Sequence, residues 1–247
     1  MSRVITLLTD YGLRDSYVAE VKAVLLSRAP GAMLVDITHD VPAGDVRAGQ
    51  YLLARAWHRF PEGTVHLAIV DPGVGTARRA LAGAVAGHLF VGPDNGLLSS
   101  LPAGVRWVAL PVPAEASATF HGRDVFAPAA ARLASGEHLE GLGPPATDVS
   151  RSPLPAPRFD GAAWVGEVVY VDRFGTLVTN LPGDVVEPGV RLVVGDREVG
   201  ALRRTFGDVD PGHLVAFVGS GGTIEVAVRN GSAERLLGAG VGTTVRA

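Results

Sequence analysis

Apolar positions in the first half of the chain follow two alternating patterns. Short continuous runs of β type, such as Val4–Leu8 and His66–Val70, predict buried strands. Between them, apolar side chains recur at three- and four-residue spacing, as in Tyr17–Leu25, which predicts a helix that Asp15 or Ser16 could cap. Strands that alternate with helices indicate an α/β fold built on a largely parallel sheet.

Further elements continue this alternation beyond the first helix. Each is bounded by residues that favour helix caps or turns. They are a strand at Leu34–Ile37, a helix that Asp45 caps, a pair of strands at Leu81–Val85 and His88–Val91, and a helix at Asp124–Ala134 that Asp124 caps and Gly136 ends.

The pattern changes near Pro144, where helical periodicity stops. Five prolines between residues 144 and 158 predict a linker. Beyond it, short β-type runs are separated by Gly and Pro turns, which predicts a small barrel or sandwich. The sequence therefore predicts an α/β N-terminal domain with a mostly parallel sheet at residues 1–150, a Pro-rich linker at 151–162 and a smaller all-β barrel domain at 163–247. The predicted strands of the barrel are Val165–Val171, Leu177–Thr179, Val190–Val194, Leu214–Val218 and Ile224–Val228.

Composition and charge exclude several classes of protein. The chain is 47% hydrophobic and 19% charged, which supplies a core and argues against disorder. A formal net charge of -3 offers no basic field for nucleic acid. The absence of cysteine excludes disulfides and thiolate chemistry. No apolar run approaches the roughly 20 residues of a membrane span, and Met1-Ser2-Arg3 leads into no signal-peptide pattern, so we expect a cytoplasmic protein that binds neither nucleic acid nor membrane.

Two aspartates directly follow predicted strands. Asp10 and Asp71 therefore fall at the carboxyl edge of the sheet, where α/β proteins gather functional side chains. Asp10 could accept both hydroxyls of a ribose, and Asp15 could pair with an ammonium group or only cap the helix. The glycines of Asp71–Arg78 permit positive φ and close ligand approach. This loop matches neither a Walker A motif nor a dinucleotide fingerprint, and a plain turn with a surface arginine is the alternative.

Four further segments carry polar or glycine-rich patterns. Gly92–Gly96 is interpreted as a structural turn, since Asn-Gly is favoured there. His121 precedes the helix that Asp124 is predicted to cap, and its small and polar neighbours favour a position at a cavity. Asp172–Thr176 and Gly219–Gly222 are interpreted as hairpin or bulge turns.

Together, the order and spacing of these motifs resemble those of the S-adenosylmethionine hydroxide adenosyltransferases, the hydrolytic relatives of the bacterial fluorinase and chlorinase. The resemblance covers nearly the whole chain, and several co-linear motifs make it specific. These motifs are Thr9-Asp10-Tyr11-Gly12, Asp71-Pro72-Gly73-Val74-Gly75-Thr76, Gly92-Pro93-Asp94-Asn95-Gly96, Phe120-His121-Gly122-Arg123-Asp124 and the turn at Ser220.

The resemblance implies an α/β domain followed by a β-barrel, and a homotrimer whose active sites lie between the first domain of one subunit and the second domain of its neighbour. It implies hydrolysis of S-adenosyl-L-methionine to adenosine and L-methionine, by attack of water or hydroxide at the ribose C5′. The site residues it implies are Asp71, Arg78 and His121 around the attacking water, Asp10 on the ribose hydroxyls, Asp15, Asp172 and Ser220 at the methionine end, and Phe174 beside adenine.

The same resemblance separates a hydrolase from a halogenase. Where this chain has Asp71, Val74 and Gly122, the fluorinase has a tyrosine, a threonine and a serine, whose hydroxyls help to hold a halide. Those hydroxyls are missing here, and a negative Asp71 would repel fluoride or chloride. Two departures bear on adenine and methionine recognition: Thr176, where the family commonly has asparagine, and Gly221, where the fluorinase has arginine.

Two other functions stay open as alternatives. One is a halogenase that forms 5′-halo-adenosine. The other is a non-catalytic adenosyl- or nucleoside-binding protein, which would keep Asp10 and the glycine turns but would not need His121. A metal enzyme is disfavoured, because the seven histidines show no His-x-x-x-His or His-x-His pairing. We therefore expect a metal-independent hydrolase with no cofactor and S-adenosyl-L-methionine as its small-molecule substrate.

Overall fold

The computed structural model of the chain describes residues 4–187 and 189–247. The N-terminal Met1-Ser2-Arg3, for which the sequence predicts no signal peptide, lies outside the described residues. The chain divides into two compact units, with the division between Pro153 and Leu154. Each unit has its own hydrophobic core. This confirms the predicted fold class of an α/β part followed by a smaller β part, while the predicted bounds at residues 150 and 162 stay a prediction.

The first unit is a six-stranded sheet with three helices. Its strands are β1 (Val4–Thr9), β2 (Met33–Thr38), β3 (Val65–Ile69), β4 (Ala80–Val85), β5 (His88–Pro93) and β6 (Arg106–Leu110); its helices are α1 (Tyr17–Arg28), α2 (Val46–Ala56) and α3 (Ala127–Ala134), with short 3-10 turns at Trp57–Arg59 and Leu139–Gly141.

The strand order of this sheet is β2-β1-β3-β5-β4-β6. Strands β1, β2, β3 and β5 pair in parallel, whereas β4 pairs antiparallel with both β5 and β6. The sheet is therefore mixed; helices connect β1 to β2 and β2 to β3, whereas β4 lies between β3 and β5 in the chain. The predicted strand pair is the β4–β5 hairpin, and the edge strand β6 was not predicted.

The start of α2 follows the prediction from the local sequence, whereas the start of α1 does not. The Asp45 carboxylate accepts a 2.9 Å hydrogen bond from the Ala48 backbone N–H, which confirms the predicted cap of α2. At α1, Ser16 takes the N-cap position without capping by its side chain, because its hydroxyl donates to Glu20 instead. Asp15 is exposed beside it. The predicted side-chain cap of α1 is therefore wrong.

The segment before α3 also differs from the prediction. A turn of π-helix spans Gly122–Phe126, and α3 begins only at Ala127. Asp124 lies inside that turn, where its carboxylate accepts a 2.9 Å hydrogen bond from the Ser117 backbone N–H. The predicted cap by Asp124 is wrong, because its carboxylate satisfies the loop upstream of the helix. His121 accordingly occupies the residue before the π-turn.

The second unit is an antiparallel, nearly closed barrel. Its strands are β7 (Arg158–Phe159), β8 (Trp164–Val171), β9 (Leu177–Pro182), β10 (Arg191–Val194), β11 (Arg197–Ala201), β12 (Leu214–Val218), β13 (Thr223–Val228) and β14 (Thr244–Arg246), with 3-10 turns at Gly183–Val185 and Phe206–Asp208 and a helix α4 (Ala233–Leu237) that was not predicted.

The two edges of this sheet approach each other. The strand order is β11-β10-β14-β8-β9-β13-β12, with β7 paired to β8. Just after β11, the Arg203 backbone N–H donates a 2.7 Å hydrogen bond to the Ala216 carbonyl in β12, beside a bridge between Arg203 and Phe217. Near-closure protects the edges that an open sheet would expose.

The parallel part of the first sheet fixes the place of the candidate site. β1 and β3 are neighbours in register, with Thr9 opposite Ile69. Asp10 follows β1 directly, and Asp71 follows β3 after one residue. Both aspartates therefore stand side by side at the carboxyl edge, as the sequence predicted.

Candidate active site

A cavity of about 570 Å³ opens at this carboxyl edge within the first unit. That volume is in the range of sites for small organic ligands. Its lining combines acidic groups, an imidazole and aromatic rings. The lining residues are Asp10, Tyr11, Tyr17, Glu20, Asp71, Val74, Ser117, Thr119, Phe120, His121, Gly122 and Arg123.

Asp71, Arg78 and His121 form one hydrogen-bonded cluster. Arg78 Nε donates a 2.9 Å hydrogen bond to Asp71 Oδ1, and Arg78 Nη2 donates to Asp71 Oδ2. The same Nη2 lies 2.9 Å from His121 Nδ1. The sequence alone could not place these residues in contact, since 43 positions separate Arg78 from His121.

The members of this cluster differ in their access to the cavity. Asp71 and His121 line it, whereas Arg78 lies behind them with a side chain only 8% exposed. The Arg78 guanidinium packs over the Phe126 ring, 5.1 Å from its centroid. Arg78 is thus held on one side by a ring and on the other by a carboxylate, which fixes the two groups that face the cavity.

The charge state of His121 follows from its surroundings. Burial, and then the positive charge of Arg78, lower the pKa of His121 below its ordinary value. The imidazole is therefore neutral at pH 7. Because a guanidinium has only donors, Nδ1 of His121 must accept from Arg78, which leaves the proton on Nε2. His121 is thus a hydrogen-bond donor at Nε2.

One donor of the cluster remains unused. Arg78 Nη1 is buried and has no hydrogen-bond partner among the described residues. Leaving such a group without a partner is costly. At the cavity the cluster presents a carboxylate acceptor and an imidazole N–H, with the unpaired guanidinium N–H behind them, and this pair is suited to a water molecule or a hydroxide ion.

The loop between Asp71 and Arg78 is shaped by its own backbone. Gly75 has a φ of 77°, and a β-carbon there would lie 2.6 Å from the Ala118 carbonyl oxygen. The close approach that the sequence suggested for a ligand is therefore made to another loop of the protein. Asn95 secures the start of the loop, because its Nδ2 donates a 2.8 Å hydrogen bond to the Val70 carbonyl.

Asp10 is held by the loop that follows β2. Its Oδ2 accepts a 2.8 Å hydrogen bond from the Gly44 backbone N–H, and its Oδ1 stays available for a ribose hydroxyl. His39, buried directly after β2, contacts both neighbouring strands: its Nδ1 lies 2.8 Å from the Thr9 hydroxyl in β1 and its Nε2 lies 3.1 Å from Asp36 in β2. Sequence reasoning missed His39, whose only signal was a polar side chain following a strand.

The remaining predicted site residues lie outside this cavity. Asp15 is exposed and does not line it. In the second unit, Asp172 Oδ1 accepts hydrogen bonds of 2.9 and 2.8 Å from the backbone N–H groups of Phe174 and Thr176, which supports the interpretation of a hairpin turn. Ser220 lies in the exposed turn between β12 and β13.

The second unit has a cavity of its own, of about 640 Å³. It brings together Asp172 and Phe174, two of the predicted residues, and exposes 70% of the Phe174 side chain. Sequence reasoning missed Phe206 and Arg229 on the same wall. The local sequence signal at Phe206 is the capping box formed by the preceding Thr205 with Asp208. This signal predicts a helical turn and not a ligand site.

Two further properties of the described residues bear on function. Within residues 4–187 and 189–247, no group of three or more His, Asp or Glu side chains is arranged to hold a metal ion. In the same ranges, no helix has the length and apolar character required to cross a bilayer.

A known family model matches each of the two units. The model of the SAM hydroxide adenosyltransferase N-terminal domain matches residues 5–143, and that of the C-terminal domain matches residues 166–246. The chain belongs to the SAM hydroxide adenosyltransferase family. Within this family, the Asp71–Arg78–His121 cluster falls in the N-terminal domain and the Phe174 cavity in the C-terminal domain.

Two named relatives align with this chain along nearly its full length, and a third over a shorter part. The chain is 48% identical to a protein named (R)-S-adenosyl-L-methionine hydrolase from Thermus thermophilus, over 99% of both chains. It is 46% identical to a protein of the same name from Salinispora tropica, over 98% of this chain and 96% of that one. A fluorinase from Actinoplanes is 29% identical over 72% of this chain and 71% of its own.

A solved structure has the same fold. The crystal structure of an uncharacterized conserved protein from Thermotoga maritima superimposes with a TM-score of 0.92 at 37% identity, covering 98% of each chain. The shared fold therefore extends over both units.

Proposed function

We propose that this chain hydrolyses (R)-S-adenosyl-L-methionine to adenosine and L-methionine. The observation that carries the proposal is the buried Asp71–Arg78–His121 cluster, which presents an acceptor and a donor at the cavity beside Asp10. Relatives at 48% and 46% identity bear the name of this activity. The sulfonium is a stereocentre, and the R configuration is taken from those names.

The reaction is a single displacement at carbon. A water oxygen forms a bond to C5′ while the C5′–S bond breaks, and sulfur keeps the electron pair of that bond. Methionine leaves as a neutral thioether, so no acid is required at sulfur. The proton lost by the water passes to the Asp71 carboxylate and from there to solvent. Charge is balanced because the positive sulfonium is consumed and one proton is released.

The protein's contribution is alignment and electrostatics. Asp71 accepts one hydrogen bond from the water, and Nε2–H of His121 donates one to its oxygen. Holding the nucleophile in line with C5′ can contribute several kcal/mol, up to about 7–11 in well-aligned intramolecular reactions. The Arg78 charge behind the pair favours hydroxide character on the oxygen that it faces. Arg78 acts through Asp71 and His121 and is a positioning residue in this scheme.

The substrate's remaining parts require further contacts. Asp10 Oδ1 accepts from the ribose hydroxyls, Phe174 with Phe206 packs against adenine, and Asp15, Asp172 and Ser220 hold the methionine end. The proposal includes a homotrimer in which the first unit of one subunit meets the second unit of its neighbour. Apolar side chains exposed in each unit support it, since such surfaces mark interfaces: Leu13 at 71% and Tyr17 at 48% in the first, Phe174 at 70% and Phe206 at 45% in the second.

We further propose that hydrolysis needs neither metal nor cofactor and takes place in the cytoplasm. The site residues assigned here supply the acceptor and donor that the displacement requires. The net charge of -3 supports a small-molecule partner over nucleic acid.

A product assay tests this function directly. The protein is incubated with the R and S sulfonium epimers separately, with and without chloride or fluoride, and products are separated by mass spectrometry. Adenosine plus methionine from the R epimer supports the proposal. A 5′-halo-adenosine that forms only with halide indicates a halogenase, and saturable binding of unchanged ligand indicates a binding protein; either result refutes hydrolysis.

A further inference from the structure

Tyr11 brings a hydroxyl into the cavity that the hydrolytic scheme has not used. It lines the cavity together with Asp71, His121 and Gly122. Its ring packs edge-on against Phe120 at 6.0 Å between centroids and tilted against Tyr17 at 5.8 Å, and these two rings also contact each other at 5.3 Å. Packing within this three-ring cluster restrains the direction of the Tyr11 hydroxyl.

Gly122 shows where that hydroxyl lies. A β-carbon at position 122 would overlap the Tyr11 hydroxyl oxygen and would lie 3.2 Å from Cζ of the same ring. The hydroxyl therefore presses against the residue that follows His121. The backbone at Gly122 belongs to the π-turn, so the absence of a side chain there is explained by space and not by a special φ.

The hydroxyl has unused hydrogen-bonding capacity. Among the described residues it has no hydrogen-bond partner; the one bond that involves Tyr11 is from its backbone N–H to Thr9. Burial, followed by the charges of Asp10 and Asp71, holds the pKa of Tyr11 above its ordinary value. The phenol is therefore neutral at pH 7, and offers an oxygen that accepts a hydrogen bond without removing a proton.

An attacking water needs such a group. One lone pair points at C5′, the second accepts from Nε2–H of His121, and one proton is given to Asp71. The remaining proton requires an acceptor, because a water with a free O–H can rotate out of line. A second carboxylate would compete with Asp71 for protons, whereas a neutral phenol oxygen would not.

We propose that the Tyr11 hydroxyl is a further catalytic group, which accepts the second hydrogen bond of the attacking water, and that position 122 is glycine because this hydroxyl takes up its side-chain space. The inference rests on the proposed hydrolysis and assigns one more contact to the water. It makes Tyr11 and Gly122 a coupled pair, although 111 positions separate them.

Tyr11→Phe is the direct test, since it removes the oxygen and keeps the ring. kcat for adenosine formation from the R epimer should fall about tenfold or more, while KM and the Kd for adenosine stay within about twofold. Tyr51→Phe on α2, which does not line the cavity, is the matched control and should leave kcat and KM unchanged. A Tyr11→Phe variant with kcat within about twofold of the original chain overturns the inference.

Gly122→Ala tests the coupling independently. Alone, it should displace the Tyr11 hydroxyl and lower kcat by a similar factor at unchanged adenosine affinity. Combined with Tyr11→Phe, it should lower kcat by no more than about another twofold, because the overlapping oxygen is gone. Equal losses in both backgrounds would contradict the coupling. If the unsubstituted chain forms no adenosine, hydrolysis and this inference fail together; if it does and Tyr11→Phe matches it, only this inference fails.

Discussion

Arg78→Lys examines whether the guanidinium fork or merely its charge is required. Arg78 makes two hydrogen bonds to Asp71 and one to His121. Lysine keeps one positive charge beside the buried carboxylate, yet a point-like ammonium cannot present the planar fork that orients both partners. The substitution should therefore disturb alignment far more than charge balance.

The expected magnitude follows from what is lost. Removing a single preorganised donor from an active site typically costs about 3–4 kcal/mol in activation free energy, or 10²–10³ in kcat. Here one side chain orients both groups that face the cavity, so we expect kcat to fall by at least about 10². KM should stay within about threefold, because the substrate contacts proposed for Asp10 and the second unit are untouched. Arg78→Ala is less informative, since it leaves Asp71 buried without its partner, which can cost about 3–5 kcal/mol of folding stability.

The rate of adenosine formation from the R epimer is measured by chromatography at several substrate concentrations, which gives kcat and KM separately. Thermal unfolding of the same samples reports any loss of folding. Arg106→Lys is the control, because Arg106, on β6, forms an exposed ion pair with Glu140. This variant should have the kcat and KM of the original chain. The positional role assigned to Arg78 is refuted if Arg78→Lys retains kcat within about threefold.

Four more outcomes are expected. Because burial and Arg78 lower the pKa of His121, kcat should hold at pH 6.5 and decline only at lower pH; a decline centred above pH 6.5 in a kcat–pH profile would contradict this. Burial and then the charge of His88 lower the pKa of His66 from 6.5 to about 3. The contribution of neutral His66 to the free energy of unfolding should therefore be complete above pH 6.5 and should decrease toward pH 3, by up to about 1.4 kcal/mol per pH unit. Urea denaturation that shows no pH dependence between pH 7.5 and 4.5 would refute this. Asn95→Ala should cost about 1–3 kcal/mol of stability by leaving the buried Val70 carbonyl unpaired, as measured by denaturant midpoint. Dialysis against EDTA should leave kcat unchanged, and loss of activity that added metal restores would refute metal independence.

The strands in the parallel part of the first sheet could be predicted from the sequence. Apolar runs that end in Asp10 and Asp71 are strong signals, because a strand's carboxyl end and its side-chain chemistry appear in one short stretch. Their adjacency followed from the α/β rule and was confirmed by the pairing of β1 with β3. In the second unit, β8, β9, β10, β12 and β13 were predicted close to their observed bounds, because Gly and Pro turns separate them, whereas the strands β7, β11 and β14 were not predicted.

Other features depend on contacts between distant segments and left no local pattern. Asp124 is of a residue type that favours helix caps, but its carboxylate accepts a hydrogen bond from the Ser117 backbone N–H instead. The π-turn in which it lies has no sequence signature. The edge strand β6 was not predicted, and its place in the sheet comes from its antiparallel pairing with β4. The Tyr11–Gly122 contact appears only once the loop after β1 and the π-turn are brought together.

The central claim is that a water oxygen goes directly to C5′ from the pocket lined by Asp71 and His121. A single turnover with enzyme in excess, run in ¹⁸O-water and analysed by mass spectrometry, tests it most directly. We predict adenosine that carries one ¹⁸O at O5′ in the first turnover, with unlabelled methionine. Unlabelled adenosine in that turnover would mean that a protein carboxylate such as Asp71 supplied the oxygen through a covalent ester, and would contradict the account.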